Sequence, residues 1–188
     1  MLFFEPWIRP LLIVHGIAAG ILVGASTHHL VWCRHYLRGR FSRVAAERRF
    51  AAIASIAFVA TFLLGNLLYP TYKVRVRAEY FDSPSAVAAE VMLQRSEAQR
   101  HGGEPKASRE GGELAWVGRL FDVKEHWVAL GCAASLVLLA MSRRAHPLGD
   151  RRLAPLYVGL SLVVCATAWT GAVVGLVTAS FRAVGGVG

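Results

Sequence analysis

Four long apolar stretches organise the chain, at about 11–33, 50–72, 121–141 and 153–181, with short charged segments between them. A helix needs roughly 20 mostly apolar residues to cross about 30 Å of hydrocarbon, and each stretch meets that length. None alternates with the period of two of a membrane β-strand. The pattern predicts an all-α fold, an integral membrane four-helix bundle forming one domain over residues 1–188. The third stretch carries Asp122, Lys124 and Glu125 in its first turns. The opening MLFFEPWIRP has no basic segment before the first apolar run, so a cleaved signal peptide is not expected.

The charges between the stretches predict orientation. Residues 34–49 hold six Arg and one Glu, a net of +5; residues 143–152 hold four Arg and one Asp, a net of +3. The long segment 73–120 has eight Lys/Arg and seven Asp/Glu, a net of +1. Basic loops remain cytoplasmic. Both basic loops then lie inside, and both termini and the 73–120 loop lie outside, in the periplasm if the membrane is a bacterial inner membrane. Trp7 and Trp127 suit the outer interface and Trp32 the inner one.

Composition narrows the class. Apolar residues make up 55% of the chain and charged residues 18%, against roughly 25% charged in ordinary globular proteins. That excludes a soluble enzyme domain, a disordered tail and a disulfide-stapled scaffold. The net charge of +9 belongs to topology-setting loops, so nucleic acid is not an expected partner. The expected surroundings are the lipid bilayer, with other membrane subunits or further copies of the chain against it. Cys33, Cys132 and Cys165 lack metal-ligand spacing and read as packing residues. Within 73–120, Ser83-Pro84 is a helix start for a helix to about Arg100, and 102–113 (GGEPKASREGGE) reads as linker. The segment KVRVRAEY, from Lys73, fits either an extended strand or a continuation of the second span.

Ionisable groups inside a membrane are functional candidates by default. His15 and His126 enter spans one and three to comparable depth from the outer side. Imidazoles on two helices of a bundle suit axial ligation of a b-type haem, and the same pair serves as a candidate metal site, for copper among others. The competing use is hydrogen bonding between helices. His29 lies fourteen residues after His15, about 40° short of four turns and about 21 Å along the axis, so the two share a face. The position fourteen after His126 is Ala140; Met141, about 60° off that face, is a candidate thioether partner for His29. His146 lies beyond the span, about 200° round from His126. Without a cofactor, His28 and His29 are expected to hydrogen-bond Ser26, Thr27 or lipid phosphate. At the outer mouth, Tyr69, Lys73 and Glu125 supply donor, acceptor and acid for a quinone or proton-handling site, beside Asn66, Asp122, Arg75, Arg77 and Arg119. Gly16, Gly20 and Gly24, and again Gly171 and Gly175, form small-residue series suited to helix packing.

Through His15, His29 and His126 at the ends of apolar helices, the chain resembles small four-helix membrane b-type cytochromes and, more loosely, the CopD-type copper-resistance membrane family. The resemblance covers the four spans, about half the chain. Respiratory di-haem cytochromes b hold two haems with such a histidine spacing, but the second histidine pair is missing here. The resemblance implies an electron-transfer protein with one haem b on His15 and His126, exchanging electrons with quinol. The alternatives are a non-catalytic or assembly subunit of a larger membrane complex and a small copper-handling membrane protein.

Overall fold

The structure, a computed structural model, describes residues 5–83, 85, 88–89, 92, 96, 99–100 and 111–181. It is all-α. Four long helices dominate: α1 (Ile8–Cys33), α2 (Val44–Thr71), α3 (Gly111–Arg144) and α4 (Ala154–Phe181). They form a four-helix bundle in which α1 packs on α2, α2 on α3, α3 on α4 and α4 back on α1. Neighbours run antiparallel. His15 lies against Gly65 while His29 lies against Glu47 on the α1–α2 seam. Gly131 meets Thr167 and Lys124 approaches Gly175 on the α3–α4 seam. Helices α1 and α3 are therefore diagonal to one another.

The helices overrun the apolar stretches that announce them. Helix α2 begins at Val44, six residues before the expected start, so Glu47, Arg48 and Arg49 are helical. Helix α3 begins at Gly111, ten residues before its stretch, and takes in 111–113 of the expected linker. Hydropathy marks the part of a helix that suits hydrocarbon; arginine, lysine and glutamate are good helix formers and do not end one. KVRVRAEY continues span two, as a π-helical segment Tyr72–Phe81 directly after α2. Pro70 sits in the last turn of α2, where its missing N–H breaks the ladder, and the pitch widens just beyond it. The Asp82 N–H donates to the Arg77 carbonyl at 2.8 Å, five residues back. This segment packs on the start of α3 through Tyr72 stacked on Phe121, centroids 3.7 Å apart, with Val76 and Val117 buried beside them. Arg77 pairs with Asp122 across the same contact. The helix expected over 83–100 lies largely outside the described residues, as do 102–110.

The outer face of the bundle is rich in large apolar side chains, and several polar side chains are buried within it. Ile17, Ile56, Leu130 and Leu176 are among many large apolar side chains that face outwards, whereas Ser26, His29, Glu47, Ser55, Ser135 and Thr167 are buried. Water-soluble bundles bury the first kind and expose the second. Four helical segments, Ile8–Arg38, Val44–Glu79, Trp116–Arg144 and Arg151–Ser180, are long and apolar enough to cross a membrane. Together these features are those of a multi-pass membrane protein.

Helix contacts inside it follow the rules of such proteins. The Ser55 hydroxyl donates to the Ser135 carbonyl at 2.8 Å, tying α2 to α3. The Trp169 indole donates to Thr27 at 3.0 Å, tying α4 to α1. The glycine series divide unexpectedly. A Cβ on Gly16, Gly20 or Gly24 would meet nothing within 4 Å, so among the described residues no other helix packs on that stripe. Gly171 and Gly175 do face neighbours, Val128 at 3.5 Å and the Lys124 amine at 3.3 Å. The tightest approach between helices is at Gly131 on α3, where a Cβ would lie 2.5 Å from Thr167 and 2.7 Å from Phe58.

Candidate functional site: a buried carboxylate at the basic end

Glu47 lies one turn into α2, at the end of the bundle that carries both basic connections. It is 0% exposed. One turn on, its inner face carries only Ala51, and none of its hydrogen-bond partners lies on α2. The partners come from everywhere else. His29 of α1 donates from Nε2 to Oε1 at 2.6 Å. Tyr157 of α4 donates its hydroxyl to the same oxygen. His146, just past the end of α3, donates from Nε2 to Oε2 at 3.0 Å. Tyr36, in the 3-10 turn Arg34–Arg38, donates to Oε2 at 3.3 Å. An ionised carboxylate offers about four lone-pair sites and no donor, and four donors fill them.

The neighbouring bonds fix which protons are where. The Leu148 N–H donates to His146 Nδ1 at 3.0 Å. That nitrogen must be bare, so the His146 proton is on Nε2, facing Glu47, and the ring is neutral. His29 has a different second partner, the Ser161 hydroxyl, 2.7 Å from its Nδ1. A hydroxyl both donates and accepts. With Ser161 donating, His29 is neutral; with Ser161 accepting, His29 carries a second proton. The ring can change charge without losing a hydrogen bond, beside a fixed anion.

Local sequence explains the geometry. Gly39, with φ of 68°, ends the 3-10 turn in the left-handed region that glycine favours, and its N–H closes back on the Tyr36 carbonyl at 2.9 Å. The Arg151 guanidinium occupies the space a Cβ would need. This tight return sets Tyr36 over Glu47. After α3, a short turn closed by the Gly149 N–H on the His146 carbonyl at 2.9 Å, with Pro147 buried, folds His146 back under the bundle.

The residues singled out from sequence fall in three places. His29 is in the buried cluster, with both ring nitrogens hydrogen-bonded, and Met141 packs half-buried on the hydrophobic core. His28 is exposed; its Nδ1 is 2.9 Å from the Gly24 carbonyl and its ring stacks on Phe50, centroids 5.4 Å apart. The others lie towards the opposite end. His15 is half-buried, and its Nδ1 is buried with no hydrogen-bond partner among the described residues. His126, on the diagonal helix, is exposed and turns its Nδ1 to the Asp122 carbonyl of its own helix at 2.9 Å. Tyr69 and Glu125 are half-buried towards that end, while Lys73 is exposed. Lys124 reaches inwards, its amine 5.0 Å from the Phe121 ring centroid. Among the described residues no three His, Cys, Asp or Glu side chains converge on a metal position.

Sequence reading misses Glu47, His146, Tyr157 and Ser161. Glu47 counts there as one acid in a loop of arginines, and His146 as a residue beyond its span. The available signal was the mismatch itself, a lone carboxylate within a turn of an apolar helix.

The fold and this site define a multi-pass four-helix membrane protein with a buried ionisable cluster at one end. Comparison with known proteins adds no closer identity: no family model matches the chain, and no curated protein and no solved structure is significantly similar to it.

Proposed function

We propose that this chain is a proton-handling protein of a bacterial inner membrane, with both termini outside, in which His29 takes up and returns a proton against the fixed negative charge of Glu47. The observation that carries this reading is the His29–Ser161 bond: its hydroxyl serves either charge state of the ring, while His146 is held neutral by Leu148. Positive-inside orientation favours a cytoplasmic position for the cluster, at the end of the bundle that carries both basic connections. An intramembrane carboxylate with imidazoles is a common form of proton relay. The test is nitrogen-15 NMR of histidine-labelled protein across the pH range in which imidazole titrates, with His29 assigned by its loss in His29→Gln. His29 is expected to pass from one to two protonated nitrogens while His146 keeps a bare Nδ1. A His29 that stays in one state throughout that range removes this reading.

A second reading is carried by His15, whose buried Nδ1 lacks a partner among the described residues. It keeps the electron-transfer assignment: His15 and His126 would hold a b-type haem near the outer side, and Tyr69 with Glu125 would serve a quinol. The haem, when bound, would supply the redox chemistry; the protein would supply imidazoles and a dry interior. A reduced-minus-oxidised absorption spectrum of protein expressed with haem available is expected to show a sharp α band, lost in both His15→Ala and His126→Ala. A flat spectrum from folded protein would discard the haem and leave the His29 centre untouched.

A further inference from the structure

An open cleft of about 440 Å³ lies directly beside the buried cluster, and Arg48, Arg143 and Arg144 line it. We infer that this cleft is a binding site for an organic phosphate, held by the guanidinium groups of those three arginines. The inference goes beyond the reading of His29 and does not depend on that residue changing charge.

Three features of the cleft point to the ligand. First, the three arginines come from different elements, Arg48 from the start of α2 and Arg143 and Arg144 from the end of α3, and converge on one concave space. None of them takes part in the ion pairs found among the described residues. Guanidinium groups bind phosphate oxygens through paired N–H donors, which makes arginine the preferred residue for such groups. Second, the far wall is fixed in advance. It consists of the turn Ala145–Asp150, closed by the Gly149 N–H on the His146 carbonyl and the Leu148 N–H on His146 Nδ1. The one carboxylate lining the cleft, Asp150, already accepts the Arg152 N–H at 3.0 Å. Third, the volume falls within the range of small-molecule sites, roughly 300–1,000 Å³, and exceeds what a bare phosphate ion fills. A phosphate with a polar substituent fits better.

Such a phosphate has two sources. The cleft lies at the end of the bundle that carries both basic connections, and basic pockets beside membrane helices bind the headgroups of anionic lipids. A soluble phosphate ester offers the same group from the aqueous side.

The experiment uses purified full-length protein stripped of lipid in a zwitterionic detergent. One arm titrates phosphatidylglycerol, with phosphatidylcholine as reference, and counts bound lipid by native mass spectrometry. The other arm titrates glycerol 3-phosphate and inorganic phosphate by calorimetry. Each arm compares wild type with R48Q/R143Q/R144Q and with R34Q/R38Q/R40Q, which removes the same charge from exposed arginines outside the cleft. The expected result is one saturable phosphate-bearing ligand per chain, weakened at least about tenfold in the cleft variant and unchanged in the other. Binding of phosphatidylglycerol alone assigns the site to a lipid headgroup; binding of glycerol 3-phosphate assigns it to a soluble ester. Equal weakening in both variants would mean diffuse attraction and would overturn the site, as would the absence of saturable binding in either arm. Every substituted arginine is exposed and none hydrogen-bonds Glu47, so each variant is expected to fold, which its circular dichroism and thermal unfolding check before binding is compared.

Discussion

Glu47→Ala is expected to destabilise the protein by about 3–5 kcal/mol, because four buried donors lose their shared acceptor and a stranded buried donor costs roughly 1–3 kcal/mol. The value has a separate lower bound. Hydrogen bonds between membrane helices average about 0.6 kcal/mol each, so losing four removes about 2.4 kcal/mol before unpaired groups are considered. The four donors that face Glu47 have little else to reach. His146 cannot turn its ring round, because its Nδ1 already accepts from Leu148. Glu47→Gln should also be costly, since the new amide donates where two of the donors point. Tyr36→Phe, which removes the 3.3 Å bond, should cost only about 1 kcal/mol. Thermal or denaturant unfolding of the detergent-solubilised protein gives the series directly. A Glu47→Ala protein as stable as wild type would show that the cluster does not hold the bundle together.

The second large effect is expected at Gly131. A Cβ there would lie 2.5 Å from Thr167 Cγ2, 2.7 Å from Phe58 Cζ and 2.8 Å from Thr167 Cβ. Real Cβ atoms do not approach so closely, and the contacts come from two different helices, so relief on one side does not relieve the other. Gly131→Ala should cost about 1–3 kcal/mol through overpacking, and Gly131→Leu should prevent correct assembly of α2, α3 and α4. Gly20→Ala is the internal control. It meets nothing within 4 Å and should gain about 0.5–1 kcal/mol by reducing backbone entropy. Parallel unfolding curves of the two alanine variants check the pair. Equal effects at both sites would contradict the packing described.

The two glycines also show what sequence makes legible. Four apolar stretches are enough to read four helices, because length and hydropathy are properties of each segment alone. The spacing of Gly16, Gly20 and Gly24 is equally visible, yet that stripe meets no neighbouring helix, while Gly131, in no series, sits at the tightest contact between helices. Which face of a helix turns inwards depends on its neighbours, and hydropathy cannot settle it here because the outer faces are apolar too. The same limit hid the site. Depth along a helix, which sequence gives, singles out His15 and His126. It does not reveal the buried polar centre, which the bundle assembles from Glu47, His29, His146 and Tyr157, residues linked by no spacing. Helix ends were obscured for a simpler reason: arginine and glutamate extend a helix past the hydrocarbon, so Glu47 read as loop when it was already the fourth residue of α2.

The distribution of Glu47's partners along the chain has a consequence for biogenesis. Two donors, Tyr36 and His29, lie 11 and 18 residues away and are in place as soon as α1 and α2 form a hairpin. The other two, His146 and Tyr157, are 99 and 110 residues downstream. During synthesis the carboxylate therefore waits, half satisfied, until the second hairpin closes. An interrupted or misassembled chain would display a charge with two empty acceptor positions at the end of its first hairpin, a mark of incompleteness that a finished bundle conceals.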